Sequence, residues 1–144
     1  MKAIILIGLA AIILVSGCIS SAETTGNVIS SGGAIKIPVS GISSQAKFYE
    51  YETGGKTVNF FAVLGNDGEV RTAFDACDVC GGAKGYRQEG HDMVCNNCGR
   101  HFSIDSIGTE NRGGGCWPSY LSHTSDGEHI MIGKNELEGG AWRF

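Results

Sequence analysis

Short runs in which apolar and polar residues alternate, separated by glycine-rich turns, make up most of the chain after residue 33. A period of two residues predicts β-strands, because successive side chains of a strand point to opposite faces of the sheet. Gly54-Gly55 and Asn66-Asp67-Gly68 separate three of these runs and supply the positive φ that tight hairpin turns require. No run predicts an amphipathic helix of three turns. Strands are predicted at residues 34–39, 47–53, 57–64, 69–74, 92–94, 101–104 and 129–132.

The first 17 residues have the layout of an export signal. Lys2 gives a basic start, and residues 3–15 carry no charge, a run shorter than the roughly 20 residues that span a bilayer. Val15-Ser16-Gly17-Cys18 resembles the lipoprotein processing box, in which cleavage leaves a lipidated cysteine at the new N-terminus. Residues 1–17 are therefore predicted to be a lipoprotein signal peptide and Cys18 the lipid anchor. An uncleaved membrane anchor is the alternative, and both interpretations place the rest of the chain on the extracytoplasmic face of the cell membrane.

Composition divides residues 18–144 into a tether and one domain. Residues 18–33 are rich in Ser, Thr and Gly without an apolar pattern, which predicts a flexible tether. Residues 34–144 are long enough for one small domain, and 23 glycines against two prolines in the 144-residue chain favour a turn-rich β protein. The formal net charge of −4 and the absence of a basic stripe argue against a nucleic-acid partner.

Two CxxC pairs, each followed by glycine, carry the candidate chemistry: Cys77 with Cys80, and Cys95 with Cys98. A CxxC turn directs two sulfurs to one ion, and a second pair at this separation completes a four-thiolate set. Thiolates select an iron–sulfur cluster, zinc, mononuclear iron or copper, and the spacing does not choose among them. Two disulfides, or a purely structural zinc knuckle, are the alternatives without chemistry.

The sequence lacks the motifs of several other kinds of redox and catalytic site. Gly81 and Gly99 follow the two pairs where covalent haem attachment needs histidine. The strand-and-loop pattern does not supply the βαβ setting of thioredoxin-like exchange. The sequence also contains no phosphate loop, nucleophile elbow or carboxylate pair. It therefore predicts an electron carrier or metal-binding protein rather than an enzyme. His91 and His101 lie near the pairs and are weaker ligand candidates, whereas His123 and His129 are interpreted as ordinary loop and strand residues.

Six stretches between about residue 47 and the end of the chain carry a family resemblance. They are Phe48-Tyr49-Glu50-Tyr51, Phe74-Asp75-Ala76-Cys77-Asp78-Val79-Cys80, Gly85-Tyr86-Arg87-Gln88-Glu89-Gly90, Met93-Val94-Cys95-Asn96-Asn97-Cys98, Ser106-Ile107-Gly108-Thr109-Glu110 and Gly114-Gly115-Cys116. In these stretches the chain resembles the FtrD-like membrane iron–sulfur family. The resemblance implies a membrane-associated iron–sulfur domain whose partner is a redox or iron-transport membrane protein.

The order of elements also resembles that of Rieske domains, with an Asp-Gly hairpin, two ligand loops and an aromatic strand. In this chain Cys80 and Cys98 stand where Rieske ligands are histidines. Four thiolates make a two-iron cluster more negative, which shifts its potential toward the roughly −400 mV of plant-type ferredoxins. By the same resemblance, the loop at residues 113–118 lies over the cluster.

The sequence thus predicts a small, mostly β domain, Rieske-like with rubredoxin-type knuckles, in a lipid-anchored protein that transfers electrons through an iron–sulfur cluster and is linked to iron uptake. The alternatives are a non-redox accessory that hands a metal to a transporter, and a structural zinc or disulfide domain that contacts a partner protein. Cys116 stays open as a fifth ligand, a redox-active thiol or a structural cysteine.

Overall fold

The computed structural model describes residues 29–144, so the predicted signal peptide, Cys18 and most of the predicted tether lie outside the described residues. None of the helices within residues 29–144 is long and apolar enough to cross a membrane. The described elements, in chain order, are β1 (Ile29–Ser31), β2 (Ala34–Pro38), β3 (Lys47–Thr53), β4 (Lys56–Leu64), β5 (Val70–Cys77), β6 (Tyr86–Glu89), β7 (Asp92–Cys95), β8 (His101–Ser103), β9 (Pro118–Tyr120), β10 (Thr124–Ser125), β11 (His129–Gly133) and α1 (Lys134–Gly140), with short 3₁₀ turns at Val39–Gly41 and Ala141–Arg143.

The strands form three antiparallel sheets. One sheet has the order β1-β2-β11-β10, the second β3-β4-β5-β9, and the third β6-β7-β8. The second sheet contains the predicted meander, in which Gly54, Gly55 and Gly68 take positive φ at the two hairpin turns. The prediction of a mostly β, antiparallel fold is confirmed.

The seven predicted strands are present, and four further strands lie outside those predictions. β6 lies in a segment for which the sequence predicts no strand. Only Tyr86 in it is buried, so its sequence shows no clear alternation of apolar and polar residues. β9 begins at Pro118, and β10 has two residues, too few to show a period. β1 lies inside the stretch predicted as a tether and pairs with β2, so regular structure begins at Ile29.

Strand β4 separates two hydrophobic cores, because its successive side chains face opposite sides of the second sheet. Val58, Phe60 and Ala62 belong to the first core, which also contains residues of β2, β11 and α1. Phe61 and Val63 belong to the second core, which is completed by β6, β7 and β8. Each fully buried phenylalanine contributes roughly 1.5–3 kcal/mol relative to exposure. Cys95 belongs to this second core, and Cys77, Cys80 and Cys116 pack against it.

The C-terminal segment closes over the first core and reaches the first CxxC turn. Gly140 of α1 lies against the ring of Phe74, leaving no room there for a side chain. Lys56 Nζ donates to the carbonyl oxygens of Ala141 (3.0 Å) and Phe144 (2.7 Å). The Arg143 guanidinium lies 3.7 Å from a carboxylate oxygen of Asp78. The end of the chain therefore supports the loop that carries the first pair of thiols.

Candidate metal centre

The first CxxC turn begins where β5 ends, at Cys77. The Val79 amide hydrogen bonds to the Cys77 sulfur, which is the arrangement that stabilises a thiolate. Burial opposes ionisation, but this amide and the thiol of Cys116 outweigh it and lower the pKa of Cys77 to about 6. A hydrogen bond with Cys77 and burial together raise the pKa of Cys80 to about 11. Cys77 is therefore the thiolate of this pair before any metal binds.

The second CxxC turn follows the end of β7, and there the amide contact is with the second cysteine of the pair rather than the first. The Cys95 amide donates to the Arg100 carbonyl (3.0 Å), and the Gly99 amide donates to the Cys95 carbonyl (2.8 Å). Gly99 takes a φ of 71°, which glycine adopts without strain. The Arg100 amide then bonds to the Cys98 sulfur, and this contact lowers the pKa of Cys98. In both turns the backbone amide two residues after a cysteine supports that cysteine as a thiolate.

Cys116 comes from the loop before β9 and reaches into the group of sulfurs between the two turns. Its Sγ lies 3.2 Å from that of Cys77, 3.4 Å from that of Cys98 and 4.0 Å from that of Cys80. Burial, reinforced by its hydrogen bond to Cys77, raises the pKa of Cys116. The Cys116 sulfur therefore lies within hydrogen-bonding distance of the sulfurs of both CxxC turns.

All five cysteines in the described part of the chain converge on one place. The sulfurs of Cys77, Cys80, Cys95 and Cys116 lie within 4.8 Å of one another. Cys98 is the most exposed and touches this group through Cys116. All five are free thiols, so the two disulfides considered from the sequence are not formed in this structure.

Polar contacts outside the sulfur group fix the loops that carry it. Ser119 Oγ donates to Asp78 Oδ1 (2.6 Å), and the Asp78 amide donates to the Trp117 carbonyl (3.1 Å). Trp117 Nε1 in turn donates to the Thr109 carbonyl (3.0 Å). The loop of Cys116 and the loop of Cys77 are therefore tied together by bonds that do not involve sulfur.

The four histidines lie apart from this sulfur group. His91 pairs with Asp105 (Nε2 to Oδ2, 3.1 Å), and His101 pairs with Asp92 (Nδ1 to Oδ2, 3.2 Å). His123 Nδ1 lies 2.8 Å from Thr72 Oγ1, and His129 faces Asp126. Within residues 29–144, the group of His, Cys, Asp or Glu side chains placed closely enough to hold a metal ion consists of cysteines alone.

Asp75 is a half-buried carboxylate behind the first CxxC turn. Its Oδ1 accepts the Tyr86 amide (2.6 Å), and its carboxyl group fills the space beside Gly85, where a Cβ would approach within 2.8 Å. Burial raises the pKa of Asp75 to about 6, despite the opposing hydrogen bond from Tyr86. The Asp75 carboxylate therefore holds β6 against β5. Because burial penalises its charged form, it lowers the free energy of unfolding by an amount that depends on pH.

Asp75→Asn is expected to raise the free energy of unfolding at neutral pH. A folded pKa of about 6, above the unfolded value of about 3.9, means that stability is lost as the pH rises through this interval, by up to about 3 kcal/mol. Asparagine keeps the acceptor for Tyr86 without the charge, so we expect a gain of roughly 1–3 kcal/mol at pH 7 that shrinks toward pH 5. Chemical denaturation of both proteins at pH 5, 6 and 7 checks this, and a difference independent of pH contradicts it.

The sulfur group has an open side. Cys98 is exposed, and a cavity of about 330 Å³ extends from Cys116 and Trp117 to the side chains of Arg100 and Arg112. A centre at this position has an edge that a partner protein can approach closely. The sequence did not indicate this cavity, because residues 109–117 have no period.

A protein-family model covers most of the chain, including every residue of the sulfur group. The model is described as membrane iron-sulfur containing protein FtrD-like, and it matches residues 42–144. The chain belongs to the FtrD-like family. Neither the curated proteins nor the solved structures give a match, so the Rieske-like order of elements stays a prediction.

The cysteine sulfurs of this chain are suitable ligands for the iron–sulfur cluster that the family description names. Thiolate sulfur is the ligand of iron–sulfur clusters, and the described chain brings five cysteines together with two amides already bonded to sulfur. The structure brings three of the predicted ligands, Cys77, Cys80 and Cys95, within 4.8 Å of one another together with Cys116, whose role the sequence left open. The fourth predicted ligand, Cys98, touches this set through Cys116. Sequence reasoning missed Asp75 and Tyr86, whose only signal was their position beside the cysteines.

Proposed function

We propose that this chain is a lipid-anchored, extracytoplasmic electron carrier whose iron–sulfur cluster is held by Cys77, Cys80, Cys95 and Cys98. The observation that carries the proposal is the convergence of two CxxC turns in which backbone amides support Cys77 and Cys98 as thiolates. When bound, such a cluster supplies a one-electron redox couple. The chain's part is to hold the sulfurs, to donate hydrogen bonds to them and to limit their contact with water.

The hydrogen bonds favour Cys98 over Cys116 as the fourth ligand. Cys98 has an amide donor and a lowered pKa, so the chain prepares it to ligate as a thiolate. Cys116 has a raised pKa and contacts other thiols. Cys116 is therefore assigned as a fifth sulfur that lies against the ligands, 3.2 Å from the Cys77 sulfur.

The location and the partner are inferred from the family and from the first residues of the chain. The family description supports a membrane location, and the processing box at residues 15–18 supports attachment through Cys18. The open edge at Cys98 gives a redox or iron-transport membrane protein a short path to the centre, since the cluster lies behind one exposed side chain. The link to iron uptake rests on the family resemblance.

A single thiolate-bound ion is the second candidate, and it leads to a non-redox metal-binding or structural role. It is favoured by the spacing of Cys77, Cys80, Cys95 and Cys116, whose sulfurs all lie within 4.8 Å of one another. Four thiolates on one tetrahedral zinc ion, with a metal–sulfur bond of about 2.3 Å, are about 3.8 Å apart. Zinc, mononuclear iron or copper would satisfy this set.

A redox titration of washed membranes from cells that express the full chain tests the electron-carrier proposal. We expect a one-electron signal by electron paramagnetic resonance, with a midpoint potential below the Rieske range and near roughly −400 mV. The signal should be in the membrane fraction, and Cys18→Ala should move it to the soluble fraction or abolish export. Membranes that contain the protein and show no redox-active signal would overturn electron transfer in favour of the single-ion candidate.

A further inference from the structure

Tyr86 lies at the inner side of the sulfur group. It is the cross-strand partner of Cys95 in the third sheet and is 4 % exposed. Its ring meets that of Phe102 edge-on, with centroids 6.1 Å apart, and its amide is held by Asp75 Oδ1. Backbone and ring are thus both fixed, so the direction of the hydroxyl is set by the fold.

The Tyr86 hydroxyl is buried and has no hydrogen-bond partner of regular geometry. Leaving a buried hydroxyl unpaired costs roughly 1–3 kcal/mol, so such a group calls for a partner. Tyr86 belongs to the second core, against which Cys77, Cys80 and Cys116 pack. Burial first, and then interaction with Cys77, raise the pKa of Tyr86. The hydroxyl is therefore a buried, unpartnered donor in the core against which the Cys77 sulfur packs.

We infer that Tyr86 is a positioning residue of the metal centre, whose hydroxyl donates a hydrogen bond to the Cys77 thiolate when the metal is bound. The inference rests on the proposed function only in taking Cys77 as a ligand, and it holds for any metal. Donation to a ligand sulfur withdraws electron density from it. In a redox-active centre this stabilises the reduced state and raises the potential.

Tyr49 gives a matched control within the same chain. Its hydroxyl is also buried and unpaired, and it is 1 % exposed, but it belongs to the first core and stacks on Phe60. Burial likewise raises the pKa of Tyr49, with no cysteine among the causes. Tyr49→Phe and Tyr86→Phe therefore remove the same atom from equivalent surroundings, and only the second lies beside the sulfurs.

The first experiment compares these two variants with the unmodified full chain after loading with Co²⁺, whose thiolate charge-transfer bands report on the ligand sulfurs. We expect Tyr86→Phe to shift these bands to longer wavelength and Tyr49→Phe to leave them unchanged. In the iron-loaded chain, the midpoint potential should fall in Tyr86→Phe alone. Equal band positions in all three proteins, or equal shifts in both variants, would overturn the inference.

A second measurement needs no substitution. Pulsed electron–nuclear double resonance on the Co²⁺-loaded unmodified chain, exchanged into D₂O, should show an exchangeable deuteron coupled to the metal beyond those of the backbone amides, and Tyr86→Phe should lack it. Identical deuteron couplings in the two proteins would contradict the hydrogen bond. If the cobalt protein behaves as expected while the iron protein has no reversible couple, the proposed function fails and the role of Tyr86 stands.

Discussion

Cys95→Ser is expected to abolish metal binding and to lower the free energy of unfolding by about 4 kcal/mol or more, the range that loss of a structural metal reaches. Cys95 is 1 % exposed, ends β7 and belongs to both the sulfur group and the second core. Binding at a metal site that the unfolded chain lacks is itself folding free energy. A serine hydroxyl is a poor ligand for a soft metal and is left buried without the sulfur's contacts.

The measurement is the metal content per chain of the anaerobically purified protein, followed by chemical denaturation. Val94→Ala is the matched control, because Val94 is the preceding residue of β7 and is also fully buried. Its truncation should cost roughly 1–3 kcal/mol while leaving the metal content unchanged. Full metal content in Cys95→Ser would remove Cys95 from the ligand set.

Cys98→Ser and Cys116→Ser are expected to differ in metal affinity, which should fall more than about a hundredfold in the first and by no more than about 10- to 100-fold in the second. A direct ligand costs more than the 10- to 100-fold typical of outer partners. The Arg100 amide prepares the Cys98 sulfur as a thiolate, whereas burial raises the pKa of Cys116, whose sulfur contacts those of Cys77 and Cys98.

Competition with a chromophoric chelator, at the same pH for both variants and the unmodified chain, gives the affinities. Both substitutions replace one sulfur by oxygen, so each serves as the control of the other. The reverse order would make Cys116 the fourth ligand, as the mutual spacing of its sulfur with Cys77, Cys80 and Cys95 allows. Equal large losses would mean that the centre uses all five sulfurs.

The strands of this fold can be predicted from the sequence wherever the alternation of apolar and polar residues extends over several residues. β3, β4 and β5 are recognisable because glycines at Gly54-Gly55 and Gly68 bound them with positive φ. β6, β9 and β10 carry too few alternating residues, and they are strands only because a neighbour supplies their hydrogen bonds. Their pairing is a tertiary effect that a local pattern does not encode.

The candidate site was predictable to the same extent. The CxxC turns are local, so their four cysteines can be identified from spacing, and the structure brings all four to one place. Cys116 is 18 residues from Cys98, and its approach depends on the pairing of β9 with β5. Asp75 and Tyr86 lie in stretches that carry the family resemblance, but no local pattern assigns them a role, because their roles arise from packing beside the sulfurs.

The most direct test of the metal centre is analysis of iron, zinc, copper and acid-labile sulfide in the full chain, extracted from membranes and purified without oxygen, together with its visible spectrum. We expect iron with an equal amount of sulfide and a coloured protein, since thiolate-to-iron charge transfer absorbs visible light. A colourless protein that contains one zinc ion and no sulfide would contradict the iron–sulfur centre.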